Sequence, residues 1–204
     1  MTRGTVYDRR LYWKKLWKKR NYPFALNMVP MIVDYDRQGR IGPLVLDLGC
    51  SCIPVSNWLD LSRCKRILLD VSPHVHDLSE LPDSPLTVEC DLCAFDYGSK
   101  GFAAFERTIA RAGTEKIDTI IAADNLINYI PWASVFETLD RYLKINGLVF
   151  ICFGLNIGRG EAFHSRRPFS PGSVIEFFEK KINYDVLEYG TQKGCHGLVL
   201  RKGG

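Results

Sequence analysis

The sequence predicts an α/β fold in which a mostly parallel sheet of seven strands carries helices on both faces and ends in an antiparallel hairpin. From Ile41 onward, short apolar runs alternate with segments of helical period, which is typical of α/β architecture. The first two runs end in an acidic turn, at Asp47 and Asp70, as in sheets that bind a ligand beyond their strands. The last two runs follow a helix and are separated by Gly190 and Gly194, which favours a closing hairpin.

The elements follow one another at regular spacing along the chain. We expect strands at 44–48, 66–70, 86–90, 117–123, 147–154, 183–188 and 196–201, and helices at 54–62, 101–112, 132–144 and 171–181. Pro54 and Pro171 suit the first turns of two of these helices. Asn146-Gly147 is interpreted as the C-terminal cap that ends the helix before the fifth strand.

Length and composition are those of an ordinary globular domain. The chain has 204 residues, of which 46% are hydrophobic and 25% charged, enough for one sizeable core. Its longest uncharged apolar run, 147–155, is far shorter than the roughly 20 residues that span a bilayer. Seven cysteines without a leader or a disulfide-like spacing favour reduced thiols and a cytoplasmic location.

The N-terminal 40 residues are distinctly basic. They hold 10 Lys/Arg against 3 Asp/Glu, whereas residues 41–204 hold 17 against 20. Trp13 and Trp17 lie four residues apart among lysines and would share one side of a helix. Three interpretations stay open: a helix packed on the core, a lid over a ligand, or a contact with nucleic acid or a membrane surface. We assign 1–40 to a basic helical segment of the same domain and 41–204 to the ligand-binding domain.

The turn after the first strand and the acid after the second carry a resemblance. The chain from about 41 to 201 resembles the class I S-adenosylmethionine-dependent methyltransferases, whose first motif is Asp/Glu-x-Gly-x-Gly-x-Gly. Asp47 and Gly49 match that motif, and Ser51 and Ile53 depart from it. The resemblance implies a Rossmann-like sheet. It also implies S-adenosylmethionine (SAM) as cofactor and S-adenosylhomocysteine (SAH) as product, with direct methyl transfer to an acceptor.

The resemblance also implies a set of cofactor contacts. Asp70 matches the acid that holds the ribose hydroxyls, Asp91 the position near the adenine amino group, and Asp124-Asn125 the motif beside the methionine end. The full set is Asp47, Gly49, Ser51, Asp70, Val71, Asp91, Leu92, Asp124 and Asn125. The residue types leave structural roles open, because Asp47 could brace the turn, and Asp91 and Asp124 could cap helices.

Two other ligand classes are less favoured by the residues. A dinucleotide motif would need glycines where the chain has Ser51 and Pro54, and SAM has no phosphate that requires such a cradle. The four thiols of the pairs Cys50/Cys52 and Cys90/Cys93 could bind zinc. The second strand would separate the two pairs, however, so we predict no metal.

The acceptor site is expected on the same edge as the cofactor. The segment after the fourth strand offers Asn128 and Tyr129 as hydrogen-bonding groups and Trp132 as an apolar wall. His164, in the polar segment after the fifth strand, could accept a proton, and Trp13 and Trp17 would line the pocket if the N-terminal segment is a lid. For each of these residues, packing or a surface loop is the alternative.

Methyl transfer needs positioning more than acid–base help, so the sequence indicates no catalytic residue. We expect a small-molecule acceptor, with nucleic acid less favoured and the oligomeric state open. The alternative function is an inactive methyltransferase-like module that binds RNA or protein through its basic N-terminus.

Overall fold

The structure is a computed structural model that describes residues 28–123, 126–154, 170–192 and 195–204. Its strands are β1 (Leu44–Leu48), β2 (Lys65–Asp70), β3 (Leu86–Glu89), β4 (Ile117–Ala122), β5 (Leu143–Gly154), β6 (Tyr184–Gln192) and β7 (Cys195–Lys202). Its α-helices are α1 (Val29–Arg37), α2 (Lys100–Arg111), α3 (Trp132–Asp140) and α4 (Pro171–Glu176), which continues as a π-helical turn, Phe177–Lys181. Short 3-10 helices span Val55–Trp58, Pro73–Glu80, Leu92–Ala94 and Leu126–Asn128.

The seven strands form one sheet in the order β3-β2-β1-β4-β5-β7-β6. The first five pair in parallel, and β7 lies antiparallel between β5 and β6. This confirms the predicted mostly parallel sheet with its C-terminal hairpin. Strand order reverses between β1 and β4, so the crevice where such sheets bind ligands opens beyond the carboxyl ends of these two strands.

Helices cover both faces of the sheet, as predicted. On one face, α2 and α3 bury Phe102, Phe105 and Phe136 against the central strands. On the other, α1 places Tyr35 edge-on against Phe150 of β5, with ring centroids 5.3 Å apart. Because β1, β4 and the part of β5 from Gly147 to Phe153 are buried, their sequences are mostly apolar.

The helix predicted at 54–62 is wrong, because only Val55–Trp58 is helical and it is a 3-10 turn. Leu59 is already extended (φ −79°, ψ 160°), with its side chain buried. The backbone N–H of Asp60 then donates to Asp36 Oδ2 of α1 at 2.7 Å. A contact made outside the segment therefore replaces the hydrogen bond that would continue the helix.

The predicted boundary between the third helix and the fifth strand is also wrong. α3 ends at Asp140, and β5 begins at Leu143. Asn146, with φ +63°, lies inside β5 and caps no helix. The pairing of β5 with β4 shifts here, from Ile117–Leu143 to Thr119–Leu148. Asn146-Gly147 thus marks an irregularity within a strand, which the same left-handed residue types favour.

The basic segment falls mostly outside the described residues, which begin at Met28 and include only α1 of it. Its role and the division at residue 40 stay predictions. Among the described parts of the chain, no helix combines the length and apolar character needed to cross a membrane.

Candidate ligand site at the carboxyl edge of the sheet

The turn after β1 brings two loops into contact at the strand-order switch. Gly49 has φ +60°, and a Cβ there would stand 2.7 Å from Leu126 Cδ1 in the segment after β4. The backbone conformation favours glycine here, and the close approach of Leu126 leaves no room for a side chain. The turn after β1 and the segment after β4 are therefore packed directly against each other at the carboxyl edge.

Ser51 has a backbone conformation that is usual for glycine and uncommon for other residues. Its φ is +56°, in the left-handed region that glycine adopts most readily. In this conformation its backbone N–H donates to Asp70 Oδ2 at 3.0 Å. The serine at this motif position therefore adopts a conformation that glycine would also favour.

Asp47 braces this turn from below. Its side chain is buried, and Oδ2 accepts from the backbone N–H of Ser56 at 2.9 Å. Burial raises the pKa of the carboxyl to about 6, an effect that the hydrogen bonds from Ser56 and the charge of Arg66 partly offset. Asp47 thus has the contacts of a residue that braces the turn, which is one of the roles that the sequence left open.

Asp70 ends β2 with its carboxylate held by two backbone groups. Oδ1 accepts from Ser72 N at 2.8 Å and Oδ2 from Ser51 N at 3.0 Å. Burial raises its pKa to about 6, and the charge of Asp47 raises it further against the effect of these hydrogen bonds. The backbone N–H of Val71 also lowers the pKa of this carboxyl, and since a carboxylate has about four lone-pair sites, it can still accept from a donor of a ligand.

Arg66 is a buried support that sequence reasoning missed. Its side chain leaves β2 on the face that carries Asp47 and is 2% exposed. Nε and Nη2 form a bidentate pair with Asp83 at 2.7 and 2.6 Å, and Nη1 donates to Asn57 Oδ1 and to Ser56 Oγ. It thus fixes the turn whose backbone holds Asp47. An arginine inside an apolar strand was the available signal.

The turn after β3 connects to the segment after β4. Asp91 Oδ1 accepts from Cys93 N at 2.9 Å and caps Leu92–Ala94, and the Cys93 thiol donates to Tyr129 O at 3.4 Å. Leu92 is buried, and Val71 is half-buried directly after β2. Asp91 therefore has the capping geometry, while its contact with adenine stays a prediction.

Asn128 has an unused acceptor. It is 2% exposed, and its Nδ2 donates to Gly154 O at 2.9 Å, which fixes the orientation of the amide. Oδ1 is buried and accepts from no group in the described chain. A buried acceptor without a donor costs about 1–3 kcal/mol, so this atom marks a place where a ligand donor would be stabilising.

The other predicted acceptor-site residues have different surroundings. Trp132 packs edge-on against Phe177, with ring centroids 4.9 Å apart, and stacks at 6.3 Å on Phe178. Tyr129 is half-buried beside Cys93. Trp13, Trp17, Asp124, Asn125 and His164 lie outside the described residues.

The thiols weighed as zinc ligands lie near the same turns. Burial raises the pKa of Cys90 to about 12 and that of Cys50 above its usual range, which opposes the thiolate form that a metal needs. Within the described ranges, no three His, Cys, Asp or Glu side chains are grouped as a metal-ligand set.

Neither a family model nor a curated protein matches the sequence. Solved structures do match the fold. A 1,6-didemethyltoxoflavin-N1-methyltransferase from Burkholderia thailandensis, with bound 1,6-didemethyltoxoflavin and SAH, is 13% identical with a TM-score of 0.62, covering 100% of this chain and 93% of its own. Magnesium protoporphyrin IX methyltransferase from Synechocystis PCC 6803, with bound SAM, is 14% identical with a TM-score of 0.59, covering 98% and 92%. A TehB-like SAM-dependent methyltransferase from Corynebacterium glutamicum is 16% identical with a TM-score of 0.60, covering 97% of each chain.

Proposed function

Given that the chain has the fold of the class I SAM-dependent methyltransferases, we propose that it binds SAM at the carboxyl edge and transfers the methyl group to a small-molecule acceptor. The observation that carries the proposal is the Asp70 carboxylate, held by two backbone N–H groups beside the crevice at the strand-order switch. The bound cofactor would supply a methyl group activated on a sulfonium.

The residues present fit such a group at both of its ends. Asp70 would accept from the ribose hydroxyls through its remaining lone pairs, in charge-assisted hydrogen bonds. At Gly49, the missing Cβ lets Leu126 of the segment after β4 pack against the turn, because a Cβ there would stand 2.7 Å from Leu126 Cδ1. The buried Oδ1 of Asn128 would accept from an ammonium or amide N–H, either of the methionine end or of the acceptor.

The chain's own contribution to the reaction would be positioning. A nucleophile aligned with the sulfonium methyl needs little acid or base assistance, so orientation and exclusion of water account for most of the rate. Val71, Leu92 and Tyr129 would provide apolar walls for this purpose. Small acceptors are favoured because the neighbouring folds include enzymes named for small molecules.

Calorimetric titration with SAM and SAH tests the proposal directly. We expect binding below millimolar concentration, and Asp70→Ala should lose at least about tenfold in affinity, which corresponds to roughly 1.4 kcal/mol. Asp185→Ala, which removes an exposed carboxylate on β6, is the matched control and should leave the affinity unchanged.

A ligand lacking the ribose hydroxyls separates recognition from folding. Wild-type protein should bind SAH more tightly than its 2′,3′-dideoxy analogue, and Asp70→Ala should bind the two equally. If wild type does not distinguish them, Asp70 is not the ribose contact. If neither SAM nor SAH binds, the inactive module is favoured, and deletion of residues 1–20 should then abolish binding to RNA or protein.

A further inference from the structure

The opposite edge of the sheet holds a groove that the proposed methyl transfer does not use. It has a volume of about 680 Å³ and lies where β1 to β4 begin, so we call it the amino-edge groove. The length of β2, from Lys65 to Asp70, separates it from the carboxyl edge by about 17 Å. Its size lies within the range of small-molecule sites.

Positive charge is concentrated in this groove. Five cations line it, namely Arg63, Lys65, Arg66, Arg111 and Lys144, against two acids, Asp83 and Asp118. Residues 41–204 as a whole hold 17 Lys/Arg and 20 Asp/Glu, so the excess of three cations is a local arrangement and does not follow from composition.

The two acids are already engaged. Asp83 forms the bidentate pair with Arg66, and Asp118 accepts from Lys144 Nζ at 2.6 Å and from Leu44 N at 3.0 Å. These contacts fix the walls of the groove to the starts of β1 and β2 and consume both negative charges.

Three cations form no ion pair within 4.0 Å with a carboxylate of the described residues, although the charge of Arg63 also acts on the exposed carboxylate of Asp60. Lys65, Arg63 and Arg111 are exposed, and no carboxylate oxygen of the described residues lies within 4.0 Å of their charged nitrogens. Arg63 Nη1 donates to Asp36 O at 3.3 Å, which leaves its other donors available. Arg111 lies in the last turn of α2, where its charge also complements the carbonyl end of the helix.

We propose that the amino-edge groove binds a phosphorylated ligand, with Arg63, Lys65 and Arg111 contacting phosphate oxygens. Guanidinium groups match phosphate in a bidentate geometry, and a lysine adds a mobile point charge. The apolar parts of Pro43, Leu61 and Leu86 offer a surface for the body of the ligand.

Inorganic triphosphate is the probe of choice, because it has neither the nucleoside nor the methionine that the carboxyl-edge site would recognise. Titrated into the full chain, it should bind below millimolar concentration. The triple variant Arg63→Gln, Lys65→Gln, Arg111→Gln should bind it at least about tenfold more weakly. The control variant Lys100→Gln, Lys180→Gln, Lys181→Gln makes the same charge change at exposed positions outside the groove and should stay within about twofold of wild type.

Two further arms distinguish the source of the phosphate. If a short oligouridylate also binds and the groove variant lowers the salt slope of its affinity by about 2, the groove takes the phosphates of a nucleic acid. If triphosphate alone depends on the groove, the ligand is a free phosphorylated compound. The basic N-terminus is identical in all variants and cancels from the comparison.

Three results would overturn the proposal. If the groove variant and the control variant lose the same affinity for triphosphate, the loss is an effect of net charge and not of the groove. Absence of binding by both triphosphate and oligouridylate would exclude a phosphate site. Equally tight binding of polyglutamate, with the same loss in the groove variant, would assign the groove to carboxylates. Cofactor titrations of the same variants should be unchanged, so a failure here is distinguishable from a failure of the proposed methyltransferase.

Discussion

At the carboxyl edge of the sheet, Asp47 and Asp70 are held by backbone N–H groups, whereas at the amino edge Arg66 and Lys144 are paired with carboxylate side chains. Backbone donors fix an acid without cancelling its charge, so it can still accept from a ligand. Ion pairs between side chains cancel charge and stabilise the fold, so at the amino edge only the cations outside such pairs can bind a ligand. The two edges therefore reach ligand-binding chemistry by different means.

The largest expected effect comes from the group that supports both edges. Arg66→Met leaves Asp83 without its cation and removes donors to Ser56 and Asn57, and it should lower the free energy of unfolding by about 3–5 kcal/mol. Urea denaturation measures it. Arg201→Met, at an exposed pair with Asp185, is the control and should lose less than about 1 kcal/mol.

A second substitution separates the contributions to the loss of stability expected for Arg66→Met. Adding Asp83→Leu to Arg66→Met should recover part of the lost stability, because the uncompensated carboxylate is then absent. A loss from Arg66→Met that is no larger than that of the surface control would mean that Arg66 does not support the turn.

Gly49 should come next, because its substitution strains the turn at the carboxyl edge. Gly49→Ala should cost about 2 kcal/mol, in part from the left-handed backbone and in part from displacement of Leu126. Gly39 has a similar φ of +69°, and its Cβ would meet only Arg63 Nη2, at an ordinary 3.6 Å. Gly39→Ala should therefore cost about 1 kcal/mol, and equal losses would assign the whole effect at Gly49 to backbone strain.

The affinity for SAM should depend on pH because Asp70 would bind as a carboxylate. Burial raises its pKa to about 6, and hydroxyl donors of a ligand favour the ionised form and lower that pKa on binding. The affinity for SAM should therefore rise as the pH rises through about 6 and then level off. The total gain in affinity should be about tenfold for each unit by which binding lowers the pKa of Asp70. Calorimetry between pH 5 and 8 measures this, and a profile unchanged by Asp70→Asn would contradict it.

The smallest expected effect lies in the exposed pair at the amino edge. Lys144→Gln should cost only about 0.5 kcal/mol, because the lysine side chain is 43% exposed and Asp118 keeps its hydrogen bond from Leu44 N. Thermal denaturation at low and high salt measures it, and the difference should shrink with salt. A loss as large as that of Arg66→Met would remove the distinction between the two pairs.

The sheet could be predicted from the sequence because its central strands are mostly apolar, as in Ile117–Ala122, where only Asp118 and Thr119 are polar. The turn at Asp47 and Gly49 could be placed at the carboxyl edge of this sheet because it directly follows β1. The hydrogen-bond partners of Asp70 and Asp47 could not be predicted, because the loop conformation alone brings the backbone N–H groups of Ser51 and Ser56 to these carboxylates. The 3-10 turn after Pro54 depends likewise on a contact with Asp36. The amino-edge groove could not be predicted from the sequence, because its cations come from separate segments whose composition is ordinary.

Ser51 shows that a turn can have a left-handed backbone conformation without a glycine at that position. A left-handed φ costs an L-residue about 1 kcal/mol, which is a small part of the free energy of unfolding of a domain. A serine can therefore stand at this position while the turn keeps its left-handed conformation. A comparison of residue identities misses such a similarity, whereas a comparison of backbone structures finds it.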